Sequence, residues 1–274
     1  VIAAAMRSRP TRKTPYREAD VMPILLVLFN LSLLFSCGIT VAADAQVNIE
    51  TQRGRPGVSG GFQIHYGGAT GNSEFFDGGA TANITYNAGH YTLLLLGRGL
   101  LGFASGERFS NQGLSHVRFT WTRDARFQPE LFGQLDYARP RKLVNRALVG
   151  TGVRTVIRNS ENFALSVGNG LMWERENLDL LPFSRHDDLT SVIRSTNYLN
   201  LQVDSRAAFR LTGYCQINVT DITDTRVIAD LEITSALIGP LEQTTSLRYR
   251  LDSDQPDGVE RNDVHVGTSL GLKF

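Results

Sequence analysis

Apolar and polar residues trade places at almost every step from Val58 to the end of the chain, the two-residue period of strands with one apolar and one wet face. Val58, Phe62, Ile64 and Tyr66 share a face, with Gln63 and His65 opposite. Ala80, Ala82, Ile84 and Tyr86 oppose Thr81, Asn83 and Thr85, and Val117, Phe119 and Trp121 oppose His116, Arg118 and Thr120. "HYTLLLLGRGLLGF" is apolar on both faces in its middle, with Arg98 alone marking the polar side. The ending repeats the pattern: Val264, Val266, Thr268, Leu270, Leu272 and Phe274 alternate with Asp263, His265, Gly267, Ser269, Gly271 and Lys273. About twelve such segments follow one another, each near the roughly nine to eleven residues that cross an outer-membrane hydrocarbon layer at a tilt. They predict an all-β chain, an antiparallel up-and-down transmembrane β-barrel.

The connections support that reading. "NAG", "TRDAR", "NSEN", "DSR" and "IGP" follow even-numbered strands and are short, whereas "ASGERFSNQ", "RENLDLLPFSRHDDL" and "SDQPDGVERN" follow odd-numbered ones and are longer. Outer-membrane barrels have short turns on one rim and longer loops on the other. Given strand directions, Tyr86, Tyr91, Trp121, Phe163 and Phe274 fall at the short-turn rim, and Tyr66, Phe103, Tyr137, Trp173 and Tyr249 at the long-loop rim. Such girdles mark the two membrane interfaces.

With Leu270, Leu272 and Phe274 facing lipid, the other face carries Arg98, Arg118, Arg146, Arg154, Arg194, Arg210, Arg248 and Arg250, together with Asp136, Glu174, Asp230, Glu232 and Glu242. These are the expected lumen-lining charges. An arginine on the lipid face at midplane would cost about 2–4 kcal/mol. An open sheet edge in lipid would strand backbone N–H and C=O groups, so the first and last strands are expected to pair.

The only long apolar run, residues 22–41, follows Arg7, Arg9, Arg12, Lys13 and Arg17 and precedes "AADAQ". Ala43 and Ala45 supply an A-x-A cleavage site, so residues 1–45 read as a secretory signal peptide with an extended basic region. Residues 46–57 follow as a short periplasmic segment and 58–274 as the barrel. Leaving out the first 45 residues, 23 Lys and Arg face 24 Asp and Glu, a nearly neutral body with no electrostatic case for nucleic-acid binding. The expected partners are outer-membrane lipid and, during biogenesis, the barrel-assembly machinery.

"GGATGNSEFFDGG", "VGTGVRTVIRNSENFALSVGNGLMWE", "RSTNYLNLQV" and "YRLDSDQPDGVERNDVHVGTSLGLKF" together resemble the domain-of-unknown-function family labelled "salt-induced outer membrane protein". The resemblance covers roughly residues 57–274 and implies an outer-membrane β-barrel without an established substrate or catalytic set. The last strand is also similar to the C-terminal β-signal read by the barrel-assembly machinery, which implies that role for His265, Gly267, Leu270, Leu272 and Phe274.

Candidate chemistry is sparse. His65, His116 and His265 lie on the lumenal register, but G-x-S-x-G, H-E-x-x-H and paired C-x-x-C motifs do not occur, and the acids of "SDQPDGVERND" lack EF-hand spacing. No enzyme, cofactor or metal is expected. The leading reading is an integral outer-membrane barrel of unassigned role, with a narrow polar passage or an envelope or osmotic-stress function. Two alternatives stay open: a soluble exported barrel binding an apolar ligand, and an outer-membrane hydrolase.

Overall fold

In the computed structural model, which describes residues 56–69, 75–104 and 107–273, the alternating segments fold into one closed wall. In chain order the strands are β1 (Gly57–Ala69), β2 (Phe75–Asn87), β3 (Tyr91–Ala104), β4 (Glu107–Trp121), β5 (Phe127–Ala138) and β6 (Leu143–Ser160). They continue as β7 (Phe163–Leu178), β8 (Leu189–Asp204), β9 (Ala208–Asn218), β10 (Thr225–Ile238), β11 (Leu241–Asp252) and β12 (Asn262–Lys273). Each pairs antiparallel with its sequence neighbours, and β1 pairs with β12, so the twelve described strands form a closed up-and-down barrel. The leader, its Ala43 and Ala45 cleavage site and Phe274 lie outside the described residues.

Turn chemistry sets the short rim. Between β2 and β3, Gly89 adopts a left-handed φ of 83° and donates its N–H to Asn87 Oδ1 at 2.9 Å. Between β4 and β5, Asp124 Oδ1 accepts from the amides of Arg126 and Phe127 at 2.7 and 2.8 Å, which holds its carboxyl below the ordinary aspartate range.

At the opposite rim the connections 179–188 and 253–261 are long, as expected, but "ASGERFSNQ" is not a loop. β3 runs to Ala104 and β4 starts at Glu107, because Arg108 pairs across with Phe103 and lays its guanidinium 5.5 Å from that ring. All the strands but β9, at 11 residues, also exceed the expected length, up to 18 in β6. Alternation continues past the apolar band into both rims, where Arg158 and Arg175 stand exposed.

The wall is inside out by the standard of a soluble protein. Leu131 (56% exposed), Leu135 (61%), Leu171 (54%) and Ile193 (50%) point outward, while Arg118, Asp136, Arg146, Glu174 and Arg194 are buried inside. The outward girdle residues Tyr86, Trp121, Tyr137 and Trp173 are exposed; Tyr249 departs from them, buried against Val227 and Leu251.

Candidate functional site in the barrel lumen

The upper lumen, toward the long loops, is filled with ion pairs. Glu174 on β7 meets three arginines: Arg194 Nε and Arg226 Nη1 donate to its Oε1 at 2.9 Å each, and Arg146 Nη1 lies 3.6 Å from Oε2. Arg226 also donates from Nη1 and Nη2 to the two oxygens of Glu176 at 2.7 and 2.9 Å, and its Nε lies 2.9 Å from Asp252. Arg194 forks onto both oxygens of Asp224 at 2.8 Å, the bidentate geometry that suits guanidinium and carboxylate. Arg250 donates to Asp252 at 2.9 Å. Arg146 Nε comes within 3.2 Å of Asp136 Oδ1 as a Coulombic contact without hydrogen-bond alignment. The cluster ties β5 through β11 together, with arginines and carboxylates in near balance.

Below this layer the lumen narrows around rings. Tyr198 on β8 and Tyr214 on β9 face each other with centroids 5.3 Å apart, and Ile228 packs beside them. Phe132 packs on Leu148 and Met172, and His116 stacks on Phe132. Between the two aromatic groups lies Arg118, 5.3 Å from the Phe132 ring and 5.5 Å from that of Tyr198, with Nη1 donating to Glu130 at 3.2 Å. The rings fit because the residue paired with each on the adjacent strand lacks a side chain: a Cβ on Gly150 would collide with Phe132, and one on Gly168 with Tyr198. Gly150 and Gly168 are thus seats for aromatic side chains, while Gly152 and Gly170 of the same G-x-G stretches let the two backbones lie against each other.

A cavity of about 250 Å³ remains at the upper mouth, bordered by Arg141, Glu176, Arg226, Arg250, Asp252, Arg261 and Asp263. Another of about 400 Å³ opens at the short-turn rim beside Asn87, Gln128, Arg154, Gln202 and Asp204. Loops 179–188 and 253–261 are clasped over the upper mouth. Arg185 Nε donates to Asp257 Oδ1 at 2.8 Å and its amide to Oδ2 at 3.0 Å, and His186 Nε2 lies 3.0 Å from Asp254. Lys142 Nζ adds a bond to the Asp257 carbonyl at 2.7 Å. These contacts hold the Asp257 carboxyl down to about 2, first through the Arg185 amide and then through its side chain.

The charges expected in the lumen are spread over the depth of the barrel. Asp136, Arg146, Glu174, Arg194 and Arg250 join the upper cluster; Arg118 and Arg154 sit lower, Arg154 donating to Gln128 at 2.7 Å. Asp230 lies 3.4 Å from Arg248 and Arg210 lies 3.6 Å from Asp204. Glu232 faces Arg98, Arg210 and Arg248, and Glu242 lines the wall lower on β11. The terminal residues do not form one site: His265 and Gly267 face inward, while Leu270 and Leu272 face out, 46% and 51% exposed. His65's side chain is outside the described set.

Sequence reading missed Glu130, Glu176, Asp224, Arg226 and Asp252. All but Asp224, in a loop, lie in the register of residues it did select, so stricter use of parity would have found them. The inward aromatics Phe132, Tyr198 and Tyr214 gave no such signal, since an apolar residue on the polar register reads as noise until its glycine seat is known. Among the described residues no group of three or more potential metal ligands forms.

A closed antiparallel barrel with an apolar exterior and an ion-paired interior is the class of protein these features define. The chain belongs to the family described as "Protein of unknown function, DUF481", whose profile matches residues 63–274. No curated protein matches it. Among solved structures it is similar to an outer membrane channel from Pseudomonas putida F1, at 10% identity over 84% of this chain and 100% of that one, with a TM-score of 0.49. It is also similar to the translocator domain of the autotransporter NalP from Neisseria meningitidis, at 13% identity over 93% and 96% of the chains, with a TM-score of 0.45. The NanC porin aligns at 7% identity over 79% and 98%, with a TM-score of 0.47.

Proposed function

We propose that the protein is an integral outer-membrane barrel whose braced lumen offers at most a narrow polar passage between two vestibules. The observation that carries this is the inversion of polarity: leucines half exposed on the outside around arginines that are nearly fully buried inside. In water such a wall would expose apolar surface far beyond what monomeric soluble proteins tolerate, whereas in lipid it is matched. The role we propose for it is solute passage or envelope and osmotic maintenance.

The middle of the lumen favours low conductance. Arg118, Phe132, Tyr198 and Tyr214 occupy it, and twelve strands lie between the eight that are filled by side chains and the sixteen to eighteen that leave an aqueous channel. Catalysis is not part of this reading: His116 Nδ1 is engaged by Gln134 at 3.2 Å and its ring lies on Phe132. Lipid and the assembly machinery are the partners we infer, the latter through the terminal strand.

Membrane extraction followed by gel migration with and without heating tests the location. The expected result is a detergent-phase protein that runs faster unheated; recovery in the aqueous phase would favour the soluble ligand-binding barrel. Planar-bilayer recording tests the lumen, with small, rare steps expected and a large steady conductance contradicting it.

A further inference from the structure

We propose that the upper half of the seam between β1 and β12 is a lateral portal joining the upper vestibule to the outer leaflet, suited to a small amphipathic molecule. It rests on the membrane-embedded reading above. Among the described residues, β1 and β12 pair only from Gly61 with Lys273 to Ile64 with Leu270. Continuing that register would set His65 against Ser269, Tyr66 against Thr268 and Gly67 against Gly267, and none of these pairs is made.

The strands themselves are intact through this stretch. β1 is paired with β2 along all of Gly57–Ala69, and β12 with β11 from Asn262 to Leu272. The gap therefore belongs to the seam and not to a frayed end. Gly67, Gly68 and Gly267 have no side chain to reach across it. Two of the apolar residues that flank it are barer than their paired counterparts, Tyr66 at 78% and Val266 at 67%, against 61% for Leu135 and 56% for Leu131 where neighbouring strands are paired.

Unpaired backbone groups are costly in hydrocarbon, so an opening there persists only if something polar reaches it or if it closes and reopens. The vestibule supplies the polar side: Asp263, the second residue of β12, borders the cavity beside Arg250 and Arg261. A molecule entering from the lumen could keep its polar group on these residues while its apolar part passes between Tyr66 and Val266. An apolar or amphipathic solute would then leave the lumen sideways without crossing the aromatic constriction below.

The test uses single cysteines carrying a bimane fluorophore in a Cys37→Ser, Cys215→Ser background, with the protein in vesicles containing spin-labelled phosphatidylcholine. Ser269→Cys reports the lumen side of the seam, Thr85→Cys a lumenal position on a fully paired strand, and Leu131→Cys the lipid-facing wall. Quenching at Ser269 several-fold above that at Thr85 is expected, and equal quenching at the two overturns the portal. Loss of quenching at Leu131 would instead refute the membrane reading, and the portal with it. As a second readout, Phe62→Cys with Leu272→Cys should form a disulfide on mild oxidation while Tyr66→Cys with Thr268→Cys lags at least tenfold. Equal rates for the two pairs would mean a closed seam.

Discussion

Tyr198 donates its phenolic hydrogen to Glu130 Oε2 at 2.6 Å, tying β8 to β5 across the interior. The same carboxylate accepts from Arg118 at 3.2 Å and, through Oε1, from Thr120 at 3.0 Å. This one group joins Tyr198 to the arginine that lies between the rings, so its loss should be felt throughout the ring layer. Replacing Tyr198 by Phe keeps the ring and removes one charge-assisted hydrogen bond. A destabilisation of about 1–3 kcal/mol is expected in urea-dependent refolding. An unchanged midpoint would mean that water replaces the phenol without cost.

Glu174 is the most heavily shared carboxylate, with Arg146, Arg194 and Arg226 around it. A buried ion pair is weak evidence of net stability, but deleting one partner leaves buried charge uncompensated, at roughly 3–5 kcal/mol. Glu174→Ala is expected to fall in that range and to raise single-channel conductance, because three guanidinium groups lose their common anchor. The closed lumen would be supported by the two effects together. A destabilised barrel with unchanged conductance would place the constriction at the ring layer alone.

How much of this could be read from the chain depends on the kind of signal. Parity made the wall legible: Val117 and Trp121 outside, Arg118 inside, a rule that holds because successive side chains leave a strand on opposite faces. Charges were assigned by the same rule, since Arg194 has no alternative but the lumen if Ile193 faces lipid. Partner choice was not legible. Arg226 meets Asp252, directly opposite on neighbouring β11, and also Glu174 on β7, a contact that depends on side chains crossing the interior. The extension of β3 and β4 was hidden because "SGERFSN" is rich in turn-forming residues, whereas the Phe103 and Arg108 pairing that overrides them exists only once the strands are adjacent.

The glycine seats predict a sharp positional contrast. Gly168→Ala places a methyl group where the Tyr198 ring lies, and overpacking of this kind costs about 1–3 kcal/mol. Gly99→Ala adds the same methyl to open space on the outer wall. Thermal loss of heat-modifiable migration should occur at lower temperature for the first variant and be nearly unchanged for the second. If both behave alike, the ring is free to leave its seat, and the constriction is softer than its packing implies.

The clasp over the upper mouth should be acid-labile, and the sign of the effect follows from Asp257. Its carboxyl ordinarily titrates near 3.8 and is held at about 2 by Arg185. A group with a depressed value in the folded form contributes fully above its ordinary value, and that contribution disappears as pH falls through the depressed one. Loops 179–188 and 253–261 should therefore stay joined at pH 5 and separate progressively between pH 3.8 and about 2. Leu181 and Phe183, exposed at 72% and 104%, offer pepsin a cleavage site in the first of these loops. The ratio of peptic cleavage in the native chain to that in Asp257→Asn, which lacks the charge at every pH, cancels the protease's own pH dependence. That ratio is expected to be well below one near pH 4 and to approach one near pH 2. A flat ratio would show that Lys142 and the turn backbone hold the loops together without the ion pair.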